Sequence, residues 1–166
     1  MAYPDGFNYV SGPIPRRVWS DISSTATFRA RNPVTLSDDR TIIEAASDST
    51  AIYGIATNNA ADSLPGVLTN KVLIEIPEPE TIYATKVQTG VATSVYSVGQ
   101  SYGIEKSGNF LRLDTDSQAT AMCTVVGDQL GGPAVRSADS SVFVRFLADR
   151  LGVLSSAGSI SVFAQD

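Results

Sequence analysis

Three kinds of side chain in this sequence could take part in chemistry: one cysteine, three lysines and several pairs of carboxylates. Histidine is absent, which excludes Ser-His-Asp and Cys-His arrangements and removes the commonest metal ligand. A serine nucleophile would then need a lysine base, and such a lysine must be shielded from water. Lys71 and Lys86 fall at exposed positions of alternating strands, and Lys106 falls in a turn. The sequence therefore predicts no Ser-Lys catalysis.

Paired carboxylates can act together as general acid and general base. The candidate pairs are Asp38 with Asp39, Glu78 with Glu80, and Asp114 with Asp116. All of them fall in predicted loops or turns, where carboxylates are expected for solvation and for local turn hydrogen bonds. Residues 113–117 resemble the start of a calcium loop, but the following glycine and the distant bidentate glutamate are missing. We therefore expect turns here and no metal site.

Cys123 is the only cysteine, so no disulfide can form within the chain. It lies in an apolar strand pattern over residues 121–125, which indicates a small core residue and not a nucleophile. The glycine-rich stretch at 127–132 has no lysine after it, so it is not a phosphate-binding loop. The sequence thus predicts no catalytic residue, no cofactor-binding residue and no metal ligand. We expect that the protein is not an enzyme.

The length of 166 residues suits one domain. Charged residues make up 17% of the chain, below the roughly 25% that is typical of soluble domains. Serine, threonine, alanine and glycine take their place, a mixture that favours strands and turns over long charged helices. The N-terminus lacks a signal-peptide pattern, and no apolar run approaches the ~18 residues that span a bilayer. We expect a soluble protein made in a reducing cytoplasm, with no membrane partner.

Charge is distributed unevenly along the chain. The formal net charge of −5 argues against nucleic acid as a partner. Residues 1–31 contain four arginines against two aspartates, a net charge of +2, so the remaining residues carry −7. A mildly basic segment on an acidic body suits docking to an acidic protein surface. The alternative interpretation is that the four arginines are simply solvated.

Short strand-like segments, each closed by turn residues, follow one another along the chain. The clearest are residues 51–56 and 71–76, and the second alternates strictly, with Val72, Ile74 and Ile76 on one face. The other predicted strands are residues 25–31, 40–46, 81–88, 91–98, 101–105, 109–114, 120–126 and 141–147. A helix over 140–154 is the alternative for the last of these. About nine to eleven strands without helical periodicity predict an all-β fold, either a barrel or a sandwich.

The predicted domain organisation is one β body over residues 22–150 with a segment at each end. Residues 1–21 are rich in proline and glycine, so we expect an extended N-terminal arm without a helix or central strand. The arm carries four aromatic residues, whereas disordered tails are poor in aromatics. It should therefore pack on its own body or reach a neighbouring molecule. Residues 151–166 could form a last edge strand or a tail added to another subunit.

Three strand segments in a fixed order carry a resemblance to a known family. They are IYGIA at 52–56, followed by NNAA at 58–61, then VLIEI at 72–76, and a closing VFVRF at 142–146. In this order, and with its proline-rich start, the chain resembles bacteriophage capsid decoration (cement) proteins, which are small β-rich proteins on the outside of phage heads. The similarity covers mainly residues 40–147. The chain departs from the shortest members in its longer N-terminal arm and its extra tail.

The resemblance implies a non-enzymatic virion protein on the outer surface of the capsid. Such a protein clamps neighbouring major capsid subunits and is often a homotrimer, so its partners would be the major capsid protein and copies of itself. As a hypothesis, the capsid-facing contact comprises Tyr3, Phe7, Tyr9, Arg16, Arg17 and Trp19. The polar loop over 58–70 is a further candidate contact, since loops on a rigid scaffold commonly carry binding.

Two alternatives stay open at this point. One is a carbohydrate- or receptor-binding β module on a virion surface, which would use exposed tyrosines among Tyr53, Tyr83, Tyr96 and Tyr102 beside loop aspartates and asparagines. The strand contexts of these tyrosines favour core positions. The other is a different structural subunit of a virion, such as a tail-tube protein, which would polymerise when isolated.

Overall fold

A computed structural model of the protein describes residues 3–60, 70–91, 95–115, 120–126, 135–136 and 141–151. The predicted all-β fold is confirmed, because twelve strands in the described part form two antiparallel sheets that pack as a sandwich. Of the two predicted architectures, the sandwich is therefore correct, and the described strands do not close into a barrel.

The larger sheet has seven strands. In spatial order they are β1 (Asn8–Ser11), β7 (Ile82–Lys86), β12 (Ser141–Phe146), β10 (Cys123–Val126), β8 (Ser101–Ser107) and β9 (Phe110–Asp114), and β11 (Val135–Arg136) also pairs with β12. The strands β8 and β9, which correspond to the strands predicted over 101–105 and 109–114, form a hairpin with Gly108 in the left-handed conformation at its turn (φ 65°). The segment predicted as a strand over 141–147 does form the strand β12, so the alternative prediction of a helix over 140–154 is wrong. A short 3-10 helix, Ala148–Arg150, comes after it.

The smaller sheet has five strands and is strongly curved. Its spatial order is β2 (Arg16–Asp21), β6 (Lys71–Ile76), β5 (Gly54–Ala56), β3 (Pro33–Leu36) and β4 (Ile42–Glu44). Ile22, directly after edge strand β2, forms a parallel bridge with Ile42 in the opposite edge strand β4. The Ser23 N–H also donates to the Ile42 carbonyl at 3.1 Å. The sheet therefore curls until its two edges meet at one point without closing.

Each face of the five-stranded sheet covers its own apolar cluster. Neighbouring residues of a strand point to opposite faces, and on β5 Ile55 and Ala56 belong to different clusters. Ile55 packs with buried residues of the seven-stranded sheet, including Tyr83 and Phe146. Ala56 belongs to the second cluster, on the other face of the sheet, which also contains Phe28. The core is thus divided between the space separating the sheets and the concave side of the curled sheet.

One prediction about an early strand was wrong, and side-chain packing explains it. Residues 25–31 alternate in polarity but form no strand. Their inward-facing Phe28 is 1% exposed and fills the second cluster from a loop. Residues 33–36 form a strand that is not among the predicted ones. Proline is tolerated here because it is the first residue of the strand.

Other predictions fall wholly or partly outside the described residues. For the strand predicted over 91–98, Val91 and residues 95–98 are not in a strand, and residues 92–94 are not described. The greater part of the predicted contact loop, the glycine-rich stretch at 127–132 and almost all of the tail predicted at 151–166 also lie outside the described residues.

The N-terminal segment, predicted as an extended arm, is part of the sandwich. It supplies an edge strand to each sheet, β1 to the larger and β2 to the smaller. Proline is compatible with edge strands, since a missing N–H costs nothing there. The Asp5 carboxylate pairs with the Arg112 guanidinium at 3.1 Å, and the Thr81 hydroxyl donates to the Pro13 carbonyl at 2.8 Å. Of the two predicted locations, the described arm therefore packs on its own body.

Candidate functional site

The most exposed apolar side chains near the N-terminus lie on the two edge strands and on the link between them. Ile14 is 79% exposed, Trp19 45% and Tyr9 40%, and two exposed arginines accompany them. We define the N-terminal surface as these five residues: Tyr9, Ile14, Arg16, Arg17 and Trp19. Only residues 12–15 separate β1 from β2, and Tyr9 on β1 and Arg17 on β2 are both close enough to Tyr83 to influence the pKa of its hydroxyl. The surface therefore spans the edges of both sheets.

Cross-strand pairs fix the position of Trp19 on this surface. Trp19 lies opposite Leu73 on β6, and an ion pair flanks it on each side. Arg17 bonds Glu75 at 3.0 Å, and Lys71 bonds Asp21 at 2.6 Å. Such exposed pairs contribute little to stability, typically ~0.2–1 kcal/mol each. Their structural consequence is that the indole is presented on a strand whose neighbouring side chains are already held in place.

The seven-stranded sheet meets the N-terminal surface through two tyrosines. The rings of Tyr9 and Tyr83 lie edge to face at 6.4 Å, and the Tyr9 hydroxyl donates to the Gly12 carbonyl at 2.8 Å. Burial raises the pKa of Tyr83 far above its usual value, and the nearby Glu75 carboxylate raises the pKa further. Because Glu75 belongs to the five-stranded sheet, the two sheets approach each other at this place.

The structure brings together most, but not all, of the residues predicted for the contact. Tyr9, Arg16, Arg17 and Trp19 are exposed on the N-terminal surface. Phe7 is 1% exposed and packs against Phe146 with ring centroids 5.2 Å apart. Its side chain is therefore a core residue and has to be removed from the predicted contact set.

Tyr3 and Ile14 also differ from the expectation. Tyr3 is half-buried and lies edge to face with Phe143 at 6.1 Å, so part of its ring is used within the fold. Ile14 was missed, although it is the most exposed large hydrophobic side chain in the described part of the chain. A signal was present, since an isoleucine between two prolines cannot join a central strand and has no regular partner.

Several of the side chains that could carry chemistry are engaged in ordinary structural contacts. Lys71 pairs with Asp21, and Lys106 pairs with Glu44, so neither is a shielded free base. Asp39 accepts hydrogen bonds from hydroxyls in its own turn, and these bonds lower the pKa of its carboxyl. In the part of the chain that the structure describes, no group of three possible metal ligands comes together. Asp116 lies outside the described residues.

Burial also limits the use of tyrosines as a sugar-stacking platform. Tyr83, Tyr96 and Tyr102 are each buried, and Tyr96 donates its hydroxyl to the Leu113 carbonyl at 2.7 Å. Only Tyr53 among the four candidates is half-exposed. Stacking on a sugar requires an open ring face, so three of the four tyrosines are unsuitable without a change in the fold.

Cys123 should be inert until the protein unfolds. The thiol is fully buried on β10, and burial raises its pKa well above the usual value. Since only the thiolate reacts quickly, we expect a thiol reagent to label the native protein at least about 100-fold more slowly than the protein in denaturant. Mass spectrometry of a labelling time course measures this ratio. Equal rates in the two states would show that Cys123 is accessible.

No protein-family model matches the chain, and no curated protein matches it. None of the helical segments in the described part of the chain has the length and hydrophobicity to cross a bilayer.

Proposed function

We propose that this protein is a non-enzymatic capsid decoration protein, which binds the outside of a phage head and clamps neighbouring major capsid subunits. One observation carries the proposal. The N-terminal surface places exposed apolar side chains and two exposed arginines close together in the chain, on the edges of a β sandwich whose Lys71, Lys106 and Cys123 side chains are paired or buried. The resemblance of the strand segments to decoration proteins supports the same function and implies a homotrimer on the virion surface.

The composition of the N-terminal surface suits protein binding. Aromatic residues and arginine are enriched at interfaces and often dominate their energetics. Here Tyr9, Arg17 and Trp19 lie on strands that are already hydrogen-bonded into sheets. Little backbone conformational entropy is therefore lost when a partner binds. A rigid surface of this kind is well suited to a clamp.

Charge and copy number support the same interpretation. Arg16 is exposed, and the residues after position 31 carry a net charge of −7. A partner with an acidic patch would be attracted to the arginines. Many copies on one shell would act together, so that modest individual contacts give firm retention when subunits are bridged.

Replacing Trp19 with alanine should weaken binding to undecorated heads at least 10-fold, because truncation of a central aromatic residue typically costs about 2 kcal/mol or more. The measurement is a co-sedimentation titration of purified protein with heads that lack it. Val98→Ala is the matched control, since Val98 is 60% exposed and lies just before β8, away from both N-terminal edge strands.

The control variant should bind as the wild-type protein does, and both variants should keep the wild-type melting temperature within a few degrees. If Trp19→Ala sediments with heads at wild-type affinity, the N-terminal surface does not carry the contact. If the isolated protein instead grows into long polymers, a tail-tube subunit would be the better assignment.

A second candidate function, binding of a carbohydrate, is favoured by one cavity. This cavity has a volume of about 600 Å³ and borders the segment 22–29, a size that suits a small ligand. Hydroxyl and amide groups of Ser24, Thr27 and Asn109 contribute to its lining, together with the Glu44–Lys106 ion pair. Such groups can bond sugar hydroxyls. A glycan array tests this function, since a clamp without sugar affinity gives no glycan-dependent signal.

A further inference from the structure

The backbone of β2 has a free edge next to Trp19. In an antiparallel pair, residues alternate between bonding to the partner strand and pointing away from it. The Ile22 N–H donates to the Asn70 carbonyl at 2.8 Å, and Ile22 continues the register of β2 with β6. Every second residue before Ile22 has the same orientation, so the backbone groups of Ser20 and Val18 also bond to β6. The N–H and C=O groups of Arg17 and Trp19 therefore point away from the sheet.

No described residue bonds to these outward groups, because β2 is an edge strand that pairs with β6 alone. Further along, the edge is occupied: β4 reaches β2 at the bridge between Ile22 and Ile42. The open part of the edge thus comprises Arg17 and Trp19, which together offer two donors and two acceptors. This length of backbone can hold a short extended segment.

Three other edge strands in the described structure are occupied or irregular along part of their length. On β9, the Leu113 carbonyl accepts hydrogen bonds from the Gln88 N–H at 2.9 Å and from the Tyr96 hydroxyl at 2.7 Å. On β4, the Ile42 carbonyl accepts from Ser23. On β1, the register shifts between Tyr9 and Ser11, and a bulge of this kind hinders pairing. Proteins usually protect all their edges, so the open stretch of β2 is unusual.

We propose that β2 is the docking edge for an extended acidic segment of the capsid subunit, which adds to the five-stranded sheet as a further strand. The segment would exchange backbone hydrogen bonds with Arg17 and Trp19. An apolar side chain of the segment would pack on the Trp19 indole, and an acidic one would face Arg16. This inference rests on the proposed function and names the chemistry of the partner.

Charge favours such a segment over a second copy of this chain. Pairing of β2 with β2 of another copy in the register that places Arg17 opposite Arg17 would bring like charges together, which is destabilising. A register that placed Arg17 opposite Asp21 of the other copy would also need the edge beside Asp21, which β4 already occupies. The register that places Arg17 opposite Trp19 would put Arg16 opposite Ser20 and give it no acidic partner. An acidic extended segment supplies that partner.

Two substitutions at one position separate backbone pairing from side-chain contact. Arg17→Pro removes the outward N–H and the side chain, whereas Arg17→Ala removes only the side chain and its ion pair with Glu75. Neither change removes a hydrogen bond to β6, and proline is tolerated on an edge strand. Both variants should therefore fold, as thermal unfolding can verify.

Strand addition predicts that Arg17→Pro binds undecorated heads about 10-fold or more weakly than Arg17→Ala, since a capsid carbonyl loses its donor on burial. Equal affinity of the two variants would overturn strand addition and leave the proposed function intact. If the wild-type protein itself fails to bind heads, both proposals are wrong. If Arg17→Pro alters the oligomeric state of the free protein while head binding is unchanged, the edge serves pairing between copies.

Amide hydrogen exchange of the wild-type protein gives a second test that does not depend on a variant. The N–H groups of Arg17 and Trp19 should exchange quickly in the free protein and become at least 10-fold slower on heads. The N–H of Ser20, which bonds to β6, should be protected in both states. Unchanged exchange across residues 16–21 on binding would contradict strand addition.

Discussion

Replacing Phe7 with alanine should lower the free energy of unfolding by about 3–5 kcal/mol, the range for truncating a buried phenylalanine. The ring is 1% exposed and packs on Phe146 within the larger apolar cluster. Its backbone N–H also donates to the Arg31 carbonyl at 2.8 Å, which fixes the segment that leads into β1. Since domains are stable by only about 5–15 kcal/mol, the loss is a large fraction of the total. Chemical denaturation measures it.

Phe7→Leu provides the control, because it keeps most of the apolar volume and should cost much less. The result also separates the two roles considered for this residue. A core residue changes stability, whereas a contact residue changes binding to heads at unchanged stability. An alanine variant with wild-type stability and lost binding would restore Phe7 to the contact set.

Replacing Gly54 with alanine should cost about 3 kcal/mol, near the upper end for overpacking. A Cβ at this position would lie 2.5 Å from both the Glu75 carbonyl oxygen and the Ile74 side chain. The carbonyl belongs to the β6 backbone and cannot move away without disturbing the pairing of β5 with β6. The requirement for glycine in the segment IYGIA is therefore steric.

Gly90→Ala is the matched control for this variant. A Cβ at Gly90 would meet nothing within 4 Å, and only its left-handed backbone (φ 84°) opposes the change. That strain costs roughly 1–2 kcal/mol. Thermal or denaturant unfolding should rank Gly54→Ala as the more damaging substitution, and the reverse order would show that the five-stranded sheet can open at β5.

Periodicity predicted the all-β fold and located the strands whose two faces differ in burial. In β6, Val72 and Ile74 are buried as expected, while Leu73 and Glu75 are less so. The same rule failed over residues 25–31, because Phe28 reaches the core from a loop. Alternation records which side chains face inward, but it does not reveal whether the backbone is paired with another strand.

The candidate site could be predicted only in part. Exposed aromatic and basic residues of the N-terminal segment were identified from their types, and Arg17 and Trp19 do share one face of β2. The position of Phe7 in the core depends on the Phe146 ring, which is 139 positions away and belongs to β12. The free edge of β2 also depends on how the sheet curls. Neither property leaves a local signal in the sequence.

Co-sedimentation of the purified wild-type protein with undecorated heads tests the central claim most directly. The proposal predicts saturable binding at a fixed number of copies per head, and heads that withstand heating better once they are decorated, because binding to the assembled state stabilises it. Absence of the protein from the sedimented heads, at concentrations where it remains folded, would contradict its assignment as a capsid decoration protein.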